Sequence, residues 1–207
     1  MRATEHTPVL PFSIFFPRLR PTGRMGPVFE QMSATKQILD ATALRLVVSR
    51  IAHEIEENIS GAPAIVIGIQ HGGVGAAARI AEELTKLRSE KVESGSIDTG
   101  MHRDDLAQRG AAPLFPTDIP EDLDGMLVIL VDDVVSSGRT VRAALDALSS
   151  FGRPEKVQLA VIFDRGGREL PIQPDYRGRE IDVDATEKVK VKWVEEDGED
   201  GVYVISE

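Results

Sequence analysis

Residues 128–140, VILVDDVVSSGRT, constrain this chain more than any other stretch. A run of apolar, largely β-branched residues reads as a buried strand. Two acids follow it, and a short loop of small residues leads into VRAALDAL (141–148), whose apolar positions recur at helical spacing. The carboxyl end of a strand therefore meets the amino end of a helix. There the backbone N–H groups of Ser136, Ser137, Gly138, Arg139 and Thr140 converge on one place, the helix terminus adds positive potential, and Gly138 permits close approach. Such a turn seats a phosphate. Val134 and Val135 lead into it, Thr140 adds a hydroxyl donor and Arg139 a charge. Asp132 and Asp133 stand where they would accept hydrogen bonds from sugar hydroxyls or hold Mg2+ through water. The plainer alternative is an α/β domain that merely ends a strand in two acids and caps the next helix with a hydroxyl. The spacing of the Walker phosphate loop is absent.

The surrounding sequence repeats the alternation of helix and strand. Leu44, Val47, Val48, Ile51 and Ile55 make a helical stripe that leaves Arg45, Ser49, Arg50 and His53 off it. AIVIGI (64–69) is a second buried strand. It is followed by the glycine-rich Gln70-His71-Gly72-Gly73 and by a helix expected to turn Val74, Ala77, Ala78, Ala81 and Leu84 inward. Further strands are expected around 96–101 and over MLVILV (126–131) and VQLAVIF (157–163). VKVKW (189–193) and VYVI (202–205) would form a C-terminal β-hairpin across an acidic turn that lacks calcium-loop spacing. The pattern predicts an α/β fold with a central, mostly parallel sheet flanked by helices. A polar loop from Arg103 through Pro120 has the length of a functional lid. Residues 1–31, with Pro8, Pro11, Pro17, Pro21 and Pro27, read as an irregular N-terminal extension to a domain over 32–207; Met25 and Met32 are alternative first residues.

Composition narrows the class further. A chain of 207 residues, 42% hydrophobic and 28% charged, suits one globular core that buries roughly 70% of its unfolded surface. With no cysteine, thiol catalysis, disulfides and Cys-ligated zinc are excluded, and a reducing cytoplasm is the expected compartment. No apolar run approaches the ~20 residues of a membrane helix, and VLPFSIFF is broken by Pro11 without a small-residue cleavage site. The net charge of −10 argues against indiscriminate binding to phosphate backbones. Charge is uneven, however: residues 1–50 carry seven Lys/Arg against three acids, which leaves room for a local basic face.

The stretch 128–140 resembles the motif by which type I phosphoribosyltransferases bind 5-phosphoribosyl 1-diphosphate (PRPP). RIAHEIEEN (50–58), HRDDL (102–106), DALSSFGRP (146–154) and DRGGRELPIQPDY (164–176) resemble, in order, segments of the PyrR family of pyrimidine-operon regulators. The likeness extends over residues 36–205. That resemblance implies the type I phosphoribosyltransferase fold with a small hood, homo-oligomerisation, and transfer of ribose 5-phosphate from PRPP to uracil, giving UMP and pyrophosphate with Mg2+ as cofactor. It implies that Arg103 reaches PRPP from the long loop, that Arg165 and Arg168 lie near the base or pyrophosphate, and that the loop with His71, Gly72 and Gly73 grips pyrophosphate. It also implies UMP-dependent binding of pyr leader mRNA through Ser49, Arg50 and His53, which match a Thr-Arg-x-x-His face. Plainer alternatives are a surface turn pairing Arg165 and Arg168 with Asp164 and Glu169, and a solvated helix face. Two departures stand out. Where the family commonly reads Lys-Thr-Arg-Gly this chain has Gln70-His71-Gly72-Gly73, losing two cations whose hydrogen bonds contribute about 1.5–3 kcal/mol each, which a protonated His71 would partly replace. Ser136 stands where tyrosine is usual. A purine phosphoribosyltransferase, or an RNA-binding attenuator with little catalysis, is the alternative function.

Overall fold

Uninterrupted β-branched runs bury both faces of a strand, which is the condition for a parallel sheet covered on two sides. The computed structural model describes residues 35–102, 115–119 and 122–206. Its elements run β1 (Thr35–Leu39), α1 (Ala41–Ile59), β2 (Ala64–Ile69), α2 (Gly73–Arg88), β3 (Ser94–Ile97), β4 (Leu127–Val135), α3 (Arg139–Leu148), β5 (Lys156–Asp164), β6 (Tyr176–Glu180), β7 (Glu187–Lys192), α4 (Val194–Asp197) and β8 (Gly201–Ser206). Five strands form one sheet in the order β3-β2-β4-β5-β6, each neighbouring pair parallel. Alternate residues of the apolar runs go to opposite faces. Ile65, Ile67, Ile69, Val128 and Leu130 pack with Val141, Ala144 and Leu148 of α3. On the other face Val66, Ile129 and Val131 pack with Leu44, Val48, Ile51 and Ile55 of α1 and with Ile80 and Leu84 of α2.

Local signals explain where the helices begin. Asp40 precedes α1 in extended conformation and its Oδ1 accepts the N–H of Ala43 at 2.8 Å, satisfying one of the unpaired donors of the first turn. The stripe on α1 is buried as its spacing predicts. On α2 the inward face is rotated from expectation: Ala76 and Ile80 are buried with Ala77, Ala81 and Leu84, while Val74 is half-buried and Ala78 exposed. At the entry to this helix a Cβ on Gly73 would overlap the Val131 carbonyl oxygen, so glycine lets α2 start against β4.

A second, antiparallel sheet of order β1-β8-β7 joins residues from both ends of the described chain. It contains the expected hairpin, but the acidic turn holds α4, which ends at Gly198 in the left-handed region (φ 76°). β3 lies at Ser94–Ile97, earlier than the expected strand, because Asp98 turns the chain by accepting the N–H of Gly100 and of Phe115, both at 2.9 Å. Among the described residues no helix is long and apolar enough to cross a membrane. The N-terminal extension and Arg103 lie outside the described residues.

Candidate active site

β4 runs past the expected end at Val131 to Val135, so Asp132 and Asp133 belong to the strand's carboxyl end itself. Gly138 follows the turn with φ 90°, a conformation that favours glycine, and α3 starts at Arg139. Gly138 has no side chain to cap this helix, and the N–H of Arg139 donates instead to Oγ of Ser137 at 3.4 Å. The turn borders a pocket of about 100 Å³ lined by Asp132, Val134, Val135, Ser136, Ser137, Gly138 and Thr140.

A neighbouring segment holds the carbonyls of the turn. The carbonyl of Val135 accepts the N–H of Arg165 at 3.1 Å, and that of Ser136 accepts Nη1 of Arg168 at 2.8 Å. The carbonyl of Ser137 accepts the N–H groups of Glu169 and Leu170 at 3.0 and 3.1 Å. Three consecutive carbonyls of the turn are thus bonded to residues 165–170, and acceptor oxygens that would repel an anion are held on that side. Arg168 is the hub: Nη2 meets Oδ2 of the buried Asp164 at 2.7 Å and Nε meets the Ile172 carbonyl at 2.8 Å, with the side chain 14% exposed. Burial works to raise the Asp164 pKa, but Arg168 and the N–H of Gly166 outweigh it and hold the carboxyl below its ordinary value. Arg139 pairs with Glu169 at 2.7 Å.

Of the two acids, Asp132 is buried and its Oδ1 accepts the N–H of Asp133 at 3.0 Å. Burial pushes the Asp133 carboxyl above its ordinary value, against the N–H of Val134, which donates to Oδ1 at 2.7 Å. The loop 70–73 abuts this acid. A Cβ at Gly72 would overlap the Asp133 carboxylate, so only glycine lets the loop lie there. His71 is exposed, with its ring 4.0 Å from that of Phe115 in an edge contact.

The structure therefore brings together the loop with His71, Gly72 and Gly73, the turn 132–140, and the segment bearing Arg165 and Arg168. Arg165 reaches the carbonyls of Glu187 and Asp184 at 3.2 and 3.3 Å and borders a concavity of about 260 Å³ with Asp164, Gly166, Glu180, Ile181 and Asp182. The surface-turn alternative holds in part: Arg168 does pair with Asp164, which Arg177 also reaches at 3.5 Å, but that pair is buried, and Glu169 takes Arg139. Ser49, Arg50 and His53 stand elsewhere, on α1. Arg50 donates to Glu54 at 2.5 Å and to the carbonyls of Arg177 and Gly178, and Nδ1 of His53 is 2.8 Å from the Ser49 carbonyl. Arg103 is outside the described residues, although the carbonyl of the preceding His102 is tied to Arg142 of α3 at 3.1 Å. Asp164 was not singled out by sequence; an acid four residues before an arginine at a strand end was the available signal.

Among the described residues no three acids or histidines cluster as a ready metal site. Two adjacent carboxylates suit Mg2+, which keeps much of its water shell and takes its remaining ligands from a phosphorylated substrate. Asp132 and Asp133 would hold it.

The model of the phosphoribosyl transferase domain matches residues 34–196. The bifunctional protein PyrR of Streptomyces coelicolor is 48% identical, covering 84% of this chain and 92% of its own. That of Roseiflexus sp. is 47% identical, covering 82% and 94%. The solved structure of the hypoxanthine phosphoribosyltransferase of Trypanosoma cruzi superposes with a TM-score of 0.62 over 82% of this chain and 95% of that one; at 18% identity it bears on the fold alone. With a family domain spanning most of its length and relatives nearly half identical, the chain belongs to the PyrR family of phosphoribosyltransferases.

Proposed function

We propose that the protein transfers ribose 5-phosphate from PRPP to N1 of uracil, in the cytoplasm and as a homo-oligomer, and that its UMP complex regulates pyrimidine genes by binding pyr leader mRNA. The observation that carries the catalytic part is the turn after β4, where the carbonyls of Val135, Ser136 and Ser137 are drawn to one side while two acids and a glycine loop lie on the other. In the reaction the bond from C1 of ribose to the diphosphate oxygen breaks, the C1–N1 bond forms, and N1 loses its proton to solvent. No covalent nucleophile is needed. The amides of 136–140 hold the 5-phosphate, and Asp132 and Asp133 hold the ribose hydroxyls and offset the positive charge growing on the sugar. The backbone of Gly72 and Gly73, His71 and Arg103 receive the diphosphate, while Arg165 lines the side where the base would lie. Bound Mg2+ supplies neutralisation of the diphosphate charge.

A PRPP-dependent assay with uracil, hypoxanthine, guanine and orotate side by side tests this. Nucleotide should form with uracil alone; turnover of hypoxanthine or guanine in its place would make the protein a purine enzyme.

The RNA reading rests on Ser49, Arg50 and His53 sharing one face of α1, with Arg50 and His53 exposed. If two or three such residues meet phosphates, affinity for pyr leader RNA should fall about tenfold between 50 and 200 mM salt, and UMP should raise it. A gel-shift titration with and without UMP measures both. Absence of any shift would leave an enzyme only.

A further inference from the structure

The single tryptophan of the chain, Trp193, stands between β7 and α4 in the antiparallel sheet region, yet its side chain reaches the loop beside the two acids. It is 1% exposed, and its indole Nε1–H donates to the Gly72 carbonyl at 3.2 Å. Gly72 precedes α2 and offers no side chain to cap it. The ring also covers Gly75, where a Cβ would stand 2.6 Å from Cγ and Cδ1. Arg79 lies 4.7 Å from the ring centroid and is itself fixed by Asp200 at 2.7 Å and Glu195 at 2.9 Å. The backbone on either side is closed down as well: the Trp193 N–H donates to Oδ2 of Asp197, and its carbonyl accepts the amides of Glu196 and Asp197. The indole is thus a rigid donor.

The Gly72 carbonyl and the Gly73 N–H belong to one planar trans peptide and point in opposite directions. A donor that fixes the carbonyl therefore fixes the amide, which is among the unpaired donors at the start of α2. We infer that Trp193 is a positioning residue for the diphosphate: its indole N–H sets the Gly72–Gly73 peptide so that the loop's amide is already aimed at an anionic oxygen. The ligand named here rests on the phosphoribosyl-transfer proposal above. In a loop without the family's two cations, the direction of backbone donors carries more of the grip.

Since Trp193 is the only tryptophan, its emission reports on the loop directly. Titrating pyrophosphate with Mg2+ into the wild-type protein should change that emission saturably. By calorimetry Trp193→Phe, which keeps an aromatic ring but loses the pyrrole N–H, should bind pyrophosphate about fivefold more weakly, with the KM for PRPP raised equally and kcat and the KM for uracil within about twofold. Arg79→Met loosens the ring but keeps the N–H, and should bind pyrophosphate more tightly than Trp193→Phe does. Wild-type affinity in Trp193→Phe, or equal weakening in Arg79→Met, would overturn the positioning role alone. A wild-type protein that binds no pyrophosphate would overturn the diphosphate assignment and the proposed reaction with it.

Discussion

Asp133→Asn should lower kcat/KM for PRPP roughly 100-fold while raising the thermal midpoint at pH 7. The first effect follows from its place: a carboxylate at the strand end, against the loop at Gly72, loses its charge where positive charge is to develop. The second follows from burial, which holds the carboxyl pKa above its ordinary value. A raised pKa means that the native state keeps this proton at a pH where the unfolded chain has released it. Ionisation at neutral pH therefore works against folding, and that penalty disappears as the pH falls through the native pKa. Asparagine removes it. Tm should therefore rise at pH 7, and the two proteins should converge in acid. Steady-state kinetics and thermal melts across pH measure both effects. An unchanged kcat/KM would take the acid out of the mechanism, and a lower Tm at pH 7 would mean that the carboxylate is paired in the fold.

The largest stability effect is expected at Arg168. Arg168→Met leaves the buried Asp164 with the N–H of Gly166 and the weaker contact from Arg177 at 3.5 Å as its partners, and leaves the Ser136 carbonyl without its donor. Stranding a buried charge in this way costs about 3 kcal/mol, or about 6–12 °C in Tm for a chain of this size. Its pH dependence should change too. The depressed pKa of Asp164 contributes stability that is present above the unfolded pKa and lost as the pH falls through the native one; without Arg168 the melt should depend less on pH in that acid range. Arg168→Lys keeps the charge but lacks the fork that bonds Asp164, Ser136 and Ile172 together. It should raise the KM for PRPP about tenfold, with the KM for uracil unchanged, because the turn loses its aim and the base side does not. The opposite pattern would place Arg168 on the base.

Arg168 shows how far sequence reaches. Its motif marks it as important, but the contact with the Ser136 carbonyl spans residues distant in sequence and no periodicity encodes it. Asp132 through Thr140 were legible because strand, turn and helix start are local matters of apolar spacing and one glycine. β6 was not: YRGRE is polar and becomes a strand only through its pairing with β5. β1 likewise depends on β8, from the other end of the chain. The same holds for Trp193 and Gly72, which look unrelated until the two sheets are placed.

The chemistry assigned to this molecule depends on whether the amides from Ser136 to Thr140 hold the phosphate of a sugar. A crystal structure of the UMP complex answers this most directly. The phosphate should lie within hydrogen-bond distance of those amides, with the ribose hydroxyls on Asp132 and Asp133. UMP bound elsewhere, with the turn vacant and both carboxylates facing protein partners, would contradict it.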